Sequence, residues 1–275
     1  MSHALLTLTQ GKQALTEAEI MILAEMADDN AAYDMQPARV KIAPGGSGQF
    51  LMNEESAKNF TAIVAISQKI RGYWPGSGTG SPPLCSSPDG AHGYFADRPD
   101  QRQIEDAMKA KRPHPGVQLF IAQDAVWPDS YSCIVCDLAQ WGSEYQRRGG
   151  AGKGQACKSM RRLLLLIDGW ALPALMSLPP TSIRVWDAYC SSLAARRGAY
   201  FAVRTLFELD TAQSLSGDKY NVVRVSVAGR VSDADLPAVS EIRRQYRELV
   251  GGLPVQSDEY EIVETVEPEP DKVPF

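Results

Sequence analysis

Four of the five cysteines lie in or just beyond a long segment that has little apolar core of its own. Residues 72–154 are rich in glycine, proline, serine and charged residues, and they contain only short apolar runs such as residues 117–122. Loops of this length without structure of their own are uncommon in a compact domain, so the segment needs another constraint. Metal ligation by the cysteines would supply that constraint, and this requirement limits the fold more than any other feature.

The cysteine spacing predicts one tetrathiolate metal site. Cys133 and Cys136 form a Cys-x-x-Cys knuckle that offers two sulfur ligands from one tight turn, and Cys85 and Cys157 can complete a tetrahedron. Zn²⁺ is the ion expected for such a set. Four thiolates leave no open coordination position, so the zinc would cross-link the long segment and contribute folding energy without catalysing a reaction.

Other interpretations of these residues stay open. The four cysteines could be buried or incidental, as Cys190 is expected to be, since it stands in a predicted helix as a small packed residue. His92 or His114 could replace one thiolate. An odd number of cysteines in a long chain without a recognisable signal peptide favours metal ligation plus one spare thiol over a disulfide framework.

The hydrophobic pattern predicts regular structure on both sides of the cysteine-containing segment. An Asp168-Gly169 turn predicts a hairpin, Thr181 is the predicted N-cap of the helix that follows it, and Gly198 is its predicted stop. Strands are predicted at residues 40–42, 60–70, 161–167, 171–178, 199–209 and 219–229, and helices at residues 16–29, 182–196 and 232–250.

The order of these elements predicts a mainly β protein of the α+β class. It is close to a five-stranded barrel that carries a helix between its third and fourth strands, which is the OB pattern. We therefore predict an N-terminal helical arm at residues 1–37, an OB-type barrel with flanking helices at residues 38–250, and a disordered acidic tail at residues 251–275. The zinc-binding loop insertion is expected at about residues 72–160.

The negative charge of the chain is concentrated near its end. The net charge is −5, but residues 258–275 hold seven acidic residues against the single Lys272, and the rest of the chain has 27 basic and 26 acidic residues. The acidity therefore belongs to the tail and does not exclude a nucleic-acid partner.

A basic, glycine-rich stretch follows the cysteine knuckle. No acidic residue lies between Glu144 and Asp168, and four glycines there would let the backbone approach a ligand closely. Such a surface suits phosphate groups, although a flexible solvated loop is the alternative. The cations in this window are Arg147, Arg148, Lys153, Lys158, Arg161 and Arg162.

Aromatic residues accompany the basic residues. Trp141 and Tyr145 precede the basic stretch, and Arg71, Tyr73 and Trp74 end the long predicted strand. Bases can stack on such rings with little regard to sequence, so these residues are predicted contacts for a nucleic-acid strand together with Lys153, Lys158, Arg161 and Arg162. Alternatively, Trp74 or Trp141 packs the metal-binding lobe.

The sequence does not match the motifs of several enzyme classes. A phosphate loop needs glycine where Arg147 stands and serine or threonine where Gly154 stands. A zinc deaminase needs proline where Ser132 stands, and glutamate two positions after a histidine, which neither His92 nor His114 has. We therefore predict that the protein is not an enzyme.

Five segments resemble a phage-associated family of zinc-containing, OB-fold single-stranded-DNA-binding proteins, and the similarity covers roughly residues 38–230. The resemblance implies that the four cysteines ligate the metal and that the basic and aromatic residues around them bind the strand. The segments are CSSPDG (85–90), CIVC (133–136), WGS (141–143), GKGQACKSMRRL (152–163) and LPPTSIRVWDAY (178–189).

The C-terminus resembles the acidic tip, ending in Pro-Phe, of bacterial single-stranded-DNA-binding proteins. Asp271, Pro274 and Phe275 match that pattern, whereas Lys272 departs from it. The resemblance implies recruitment of replication or recombination proteins through the terminal aromatic residue and its carboxylate. The alternative is a tail that only keeps the protein soluble.

These observations predict sequence-nonspecific binding and protection of single-stranded DNA in phage or mobile-element replication and recombination. One alternative is a strand-annealing or recombination-mediator protein, and another is a zinc-containing scaffold that binds only proteins. No stretch approaches the roughly 18 uninterrupted apolar residues of a membrane span. We expect no membrane partner and a location in the cytoplasm of a bacterial host, if a phage or mobile element encodes the chain.

Overall fold

The computed structural model describes residues 37–52, 55–74, 82–95, 131–144, 154–170, 172–213, 217 and 219–259. These residues form a mixed α+β fold that consists mostly of strands. The predicted helix at residues 16–29 and the C-terminal residues 260–275 lie outside the described part.

The strands and helices follow in this order along the chain. The strands are β1 (Ala38–Ile42), β2 (Phe50–Met52), β3 (Glu55–Ala57), β4 (Asn59–Tyr73), β5 (Cys85–Ser87), β6 (His92–Phe95), β7 (Tyr131–Ser132), β8 (Cys157–Ile167), β9 (Ala174–Leu178), β10 (Val203–Gln213) and β11 (Lys219–Arg230). The helices are α1 (Pro180–Ala195) and α2 (Leu236–Gly252).

The antiparallel pair of β4 and β8 forms the centre of the sheet. The two strands pair from Ala62 and Ile167 to Tyr73 and Cys157, with one register shift between Val64 and Ile66. On one side of this pair the order continues through β9, β1, β2 and β3. On the other side β4 has two neighbours, because its first half pairs with β10 and its last three residues pair with β5.

The central strands are buried on both faces, because their apolar residues occupy both sets of alternate positions. One face packs with α1 around Trp186 and includes Leu163 and Leu165. The other packs with α2 around Ile242 and includes Leu164. Strands with covers on both faces are expected to be apolar throughout instead of alternating.

The predicted strands and helices within the described residues are confirmed, with some differences at their ends. Helix α1 begins after Pro179, without a side-chain cap, so the prediction that Thr181 caps it is wrong. Proline suits the first positions of a helix because the missing N–H would have no partner there. Strands β2, β3, β5, β6 and β7 were not predicted, since each has at most four residues.

The sheet is not closed by the pairing that a five-stranded barrel would need. Within the described chain, β11 pairs only with β10, and the outer edge of β9 pairs in parallel with β1. The loop after β1 nevertheless reaches β11, because the Asn221 amide donates to the Ala43 carbonyl at 2.7 Å and its oxygen accepts from the Gly48 N–H at 3.1 Å.

The chain immediately after α2 is folded onto the sheet and does not belong to a disordered tail. Arg162 and Glu259 form an ion pair of 2.6 Å whose two side chains are almost completely buried. The Arg162 guanidinium also donates to the Leu253 carbonyl at 2.7 Å and the Pro254 carbonyl at 3.0 Å, and Ser177 donates to Glu259 at 2.5 Å. The predicted tail boundary at residue 251 is therefore wrong, because residues 251–259 belong to the folded body.

Arg162 also decides the pKa of Glu259. Burial of the carboxyl acts to raise its pKa, but the hydrogen bonds and charge of Arg162, with Ser177 and the Gln256 N–H, outweigh burial and hold the pKa below its usual value. The ionised form therefore contributes stability that is present above the ordinary glutamate pKa of about 4.3 and is lost as the pH falls through the lower pKa of the folded state.

We expect Glu259→Gln to destabilise the protein by about 3–5 kcal/mol at neutral pH, because it leaves the Arg162 charge buried without its counter-ion. Urea unfolding measures this loss, and the difference from the unchanged protein should shrink on acidification. The matched control is Asp210→Asn, which removes an exposed ion pair with Arg224 and should cost less than about 1 kcal/mol. A loss no larger than the control's would contradict a structural role for the buried pair.

Candidate metal centre and nucleic-acid groove

The four predicted metal ligands converge at the end of the β4–β8 pair. Cys85 of β5 and Cys157 of β8 are the cross-strand partners of Tyr73 on its two sides. Both cysteines are buried in one apolar cluster, against which Cys136 packs. Electrostatic coupling of Cys85 to the other three thiols places Cys133 in the same neighbourhood.

The knuckle itself is held by backbone hydrogen bonds. The Cys133 N–H donates to the Ala91 carbonyl at 2.8 Å, and the Cys136 carbonyl accepts from the Ala139 N–H at 3.0 Å as a short 3-10 helix begins. The two residues between the cysteines, Ile134 and Val135, are exposed. The sequence between β6 and β8 therefore turns two cysteines inward and leaves an apolar tip outside.

The thiols stand in a buried environment. Burial raises the pKa of Cys157 to about 12, although the neighbouring Arg71 acts in the opposite direction. Burial likewise raises the pKa of Cys85 and of Cys133. A bound cation would reverse this preference for the neutral thiol, because metal coordination deprotonates a thiol.

The donor set fits zinc in its chemistry. All four cysteines are free of disulfides. In the described residues, no three His, Cys, Asp or Glu side chains stand together at coordinating positions. The sulfurs are therefore neighbours that would need to draw closer to surround an ion.

His92, one of the two histidines that could replace a thiolate ligand, has a different partner in the structure. The His92 ring lies 2.6 Å from the Asp89 carboxylate, which also accepts from the backbone N–H groups of Ala91 and His92. Burial acts to raise the pKa of Asp89, but these hydrogen bonds prevail and lower it. His92, the first residue of β6, is thus bound by Asp89 of the preceding turn, and His114 lies outside the described residues.

Several predicted nucleic-acid contacts lie inside the protein. Tyr73 and Trp74 are buried, and the Trp74 ring covers Gly72 so closely that a side chain there would overlap it. Arg71 and Arg162 are also buried. The expectation that these four residues contact a strand is therefore wrong for the folded protein, because no surface of theirs is available.

The remaining predicted contacts divide between two surfaces. Trp141 is 80% exposed and, with Lys158, lines a groove of about 510 Å³. Arg161 lies outside that groove and forms an ion pair of 2.8 Å with Asp187 of α1. Tyr145 and Lys153 lie outside the described residues, as do Asp271, Pro274 and Phe275 of the predicted tip.

The groove lies on the sheet face that carries α2, over the paired strands β9 and β1. Arg39 and Lys41 of β1 line it together with Leu175 and Ser177 of β9. The loop between β4 and β8 contributes Trp141, Glu144, Gly154 and Gln155, and the beginning of β11 contributes Tyr220 and Asn221. Sequence reasoning missed Arg39, Lys41 and Tyr220, although the alternation in ARVKI places the two cations on one face.

Carboxylates already stand beside the groove cations. Lys158 pairs with Glu144 at 2.7 Å, with both side chains largely buried, and Arg39 pairs with Glu259 at 3.4 Å. Lys41 is the most exposed of the three cations. A phosphate would have to replace or join these carboxylates, so Lys41 is the cation most accessible to a polyanion.

No protein-family model matches the chain, and neither a curated protein nor a solved structure matches it. Among the helices of the described residues, none is both long and apolar enough to cross a membrane.

We expect Cys136→Ser to lower both zinc content and thermal stability, because it removes a ligand of a structural ion. Metal analysis by mass spectrometry and thermal unfolding with and without a chelator measure the two effects. The matched control is Cys190→Ser, since Cys190 packs against the α1 core away from the four-cysteine cluster and should leave zinc content unchanged. Equal melting temperatures with and without chelator would reject the structural ion.

Proposed function

We propose that the protein binds single-stranded nucleic acid, DNA in the first instance, without sequence preference, on an OB-type barrel whose long insertion is cross-linked by zinc. In this proposal the protein sequesters and protects the strand and performs no catalysis. The observation that carries it is the position of the groove relative to the strands.

The strand pairing supports an OB-type barrel. Strands β4, β8 and β9 are consecutive antiparallel neighbours, α1 follows them, and β10 and β11 form a hairpin that joins β4 on its other edge. In this numbering β4 is the first barrel strand, β8 the second, β9 the third, β10 the fourth and β11 the fifth. The insertion is then the loop between the first and second strands, and residues 214–218 connect the fourth and fifth. The pairing of β1 with β9 occupies the edge of β9 at which the sheet would close into a barrel.

The position of the groove supports the proposal, because it corresponds to the surface on which OB folds bind oligonucleotides. Those folds use the outer face of their second and third strands, together with the loops between strands one and two and between strands four and five. Here the groove is lined by Leu175 and Ser177 of β9, by Trp141 of the insertion and by Tyr220 beside the β10–β11 loop. The correspondence involves three separate parts of the chain.

The chemistry of the groove also suits a single strand. An exposed indole such as Trp141 offers a stacking surface for unpaired bases. Arg39, Lys41 and Lys158 offer positive charge for the phosphate backbone, and the carboxylate partners of Arg39 and Lys158 keep that attraction moderate. Binding should therefore combine stacking, which depends little on salt, with phosphate contacts, which weaken as salt rises.

The acidic C-terminus fits the same function as a partner-recruiting segment. Glu259, the last residue of the described part of the chain, lines the groove. In this proposal the tip with Asp271, Pro274 and Phe275 recruits replication or recombination proteins, and the acidic residues compete weakly with the strand for the groove.

We expect Trp141→Ala and Lys41→Ala to weaken single-strand binding in two distinguishable ways. Loss of the indole should cost about 1–3 kcal/mol with little change in the salt dependence, because stacking is lost. Loss of Lys41 should reduce the slope of log affinity against log salt by about 0.7, because one phosphate contact is lost. Fluorescence anisotropy with a mixed-sequence oligonucleotide across a salt series measures both quantities.

The matched control is Arg196→Ala, which removes an exposed cation at the end of α1, outside the groove. It should change neither quantity. Unchanged binding by both groove variants would contradict the groove as the binding site, and no salt-sensitive binding by the unchanged protein would favour the protein-binding scaffold. Faster annealing of complementary strands would favour the recombination-mediator alternative.

A chain ending at Glu259 should bind the single strand as tightly as the full chain or more tightly, because the acidic residues that compete for the groove are removed.

A further inference from the structure

Arg71 lies beside the four-cysteine cluster. It lies on β4 between Ser87 of β5 and Ser159 of β8, which are its cross-strand partners. Cys85 and Cys157 stand two residues farther along those same two strands. Diagonal neighbours at this spacing are within reach of a long side chain, so Arg71 can extend toward both cysteine-bearing strands.

The Arg71 guanidinium is buried without a complete set of partners. The residue is only 8% exposed, and its Nε and Nη1 atoms are buried without a hydrogen-bond acceptor. No carboxylate of the described residues lies within ion-pair distance of it. A buried cation that lacks a counter-ion is costly to folding, so the arrangement requires a negative partner.

The neighbouring cations increase that requirement. Lys69 lies two residues before Arg71 on the same strand face and pairs across the sheet with Arg161. Asp187 of α1 forms an ion pair with Arg161 and so offsets positive charge at the Lys69 and Arg161 positions. At the other end of this group of charges, Arg71 is close enough to Cys157 and Cys133 that its positive charge acts to lower the pKa of both thiols.

We propose that Arg71 is the internal counter-ion of the metal centre and sets its affinity for Zn²⁺. This inference rests on the proposed zinc site formed by Cys85, Cys133, Cys136 and Cys157. A Zn²⁺ ion with four thiolates carries two net negative charges, and Arg71 offsets one of them inside the protein. Its unpartnered N–H groups then have anionic sulfur acceptors. Arg71 is thus a positioning residue and not a metal ligand.

This role explains why Arg71 is an arginine at a buried position of a strand. As a nucleic-acid contact the residue would have to expose its guanidinium, yet two of its donor nitrogens are inaccessible. As a packing residue alone, an apolar side chain of similar length would serve better, since it would need no counter-ion. Only an anionic centre beside it turns the charge into a stabilising feature.

The test is the zinc affinity of Arg71→Met in the full chain, measured by competition with a chromophoric chelator. We expect a loss of about 10- to 100-fold, the range found when partners of metal ligands are removed. The chelated form should be as stable as the unchanged protein, or more stable, because methionine removes an uncompensated charge. A purely structural role would instead lower the stability of both forms.

Two further variants complete the test. Arg71→Lys keeps the charge and should bind zinc more tightly than Arg71→Met, and Arg161→Met removes a nearby cation that is paired with Asp187 and should leave zinc affinity unchanged. Zinc affinity of Arg71→Met equal to that of the unchanged protein, or equal losses in Arg71→Met and Arg71→Lys, would overturn the counter-ion role. Absence of zinc from the unchanged protein would instead overturn the zinc site itself.

Discussion

The pairing of β4 with β8 is the constraint on which the other parts of the structure depend. Its apolar half supplies residues to both principal cores, so α1 and α2 are attached to opposite faces of the same two strands. Its polar half continues beyond those cores and ends at Tyr73 and Cys157. Without this ladder, neither the cysteine cluster nor the groove would have a fixed position.

The two ends of this strand pair have different neighbours and different proposed roles. At the first end β10 and β11 extend the sheet toward a barrel, whereas at the other end β5 carries Cys85 next to Cys157. The insertion leaves the sheet at this second end and returns through Trp141 to the groove. A metal that fixes the insertion would thereby also fix an aromatic wall of the groove, so the proposed zinc site and the proposed binding site are mechanically connected.

Much of the fold followed from the sequence because local patterns determine it. The Asp168-Gly169 turn and the apolar runs on either side of it predict the β8–β9 hairpin without reference to the rest of the chain. The convergence of the four cysteines was also predictable, since residues 72–154 lack an adequate core. The pairing of β1 with β9 was not predictable, because a five-residue strand can pair with any available edge.

The predicted binding residues were less accurate because a charge in the sequence does not reveal which side of the sheet it occupies. Arg161 and Arg162 are adjacent, yet one pairs with α1 at the surface and the other is enclosed with Glu259, which is 97 residues away. Tyr73 and Trp74 are predicted to contact bases, yet Tyr73 ends a strand whose last four residues are buried, and Trp74, which follows it, is buried too. Burial of these side chains depends on tertiary contacts between residues that are distant in the sequence.

The most direct test of the binding proposal is amide hydrogen exchange on the zinc-loaded full chain, with and without a mixed-sequence single strand. We expect slower exchange in β1, in residues 141–144 and at the beginning of β11, because these segments line the groove. Helix α1 should be unaffected. An unchanged exchange pattern at saturating strand concentration, or protection confined to α1, would contradict the proposal.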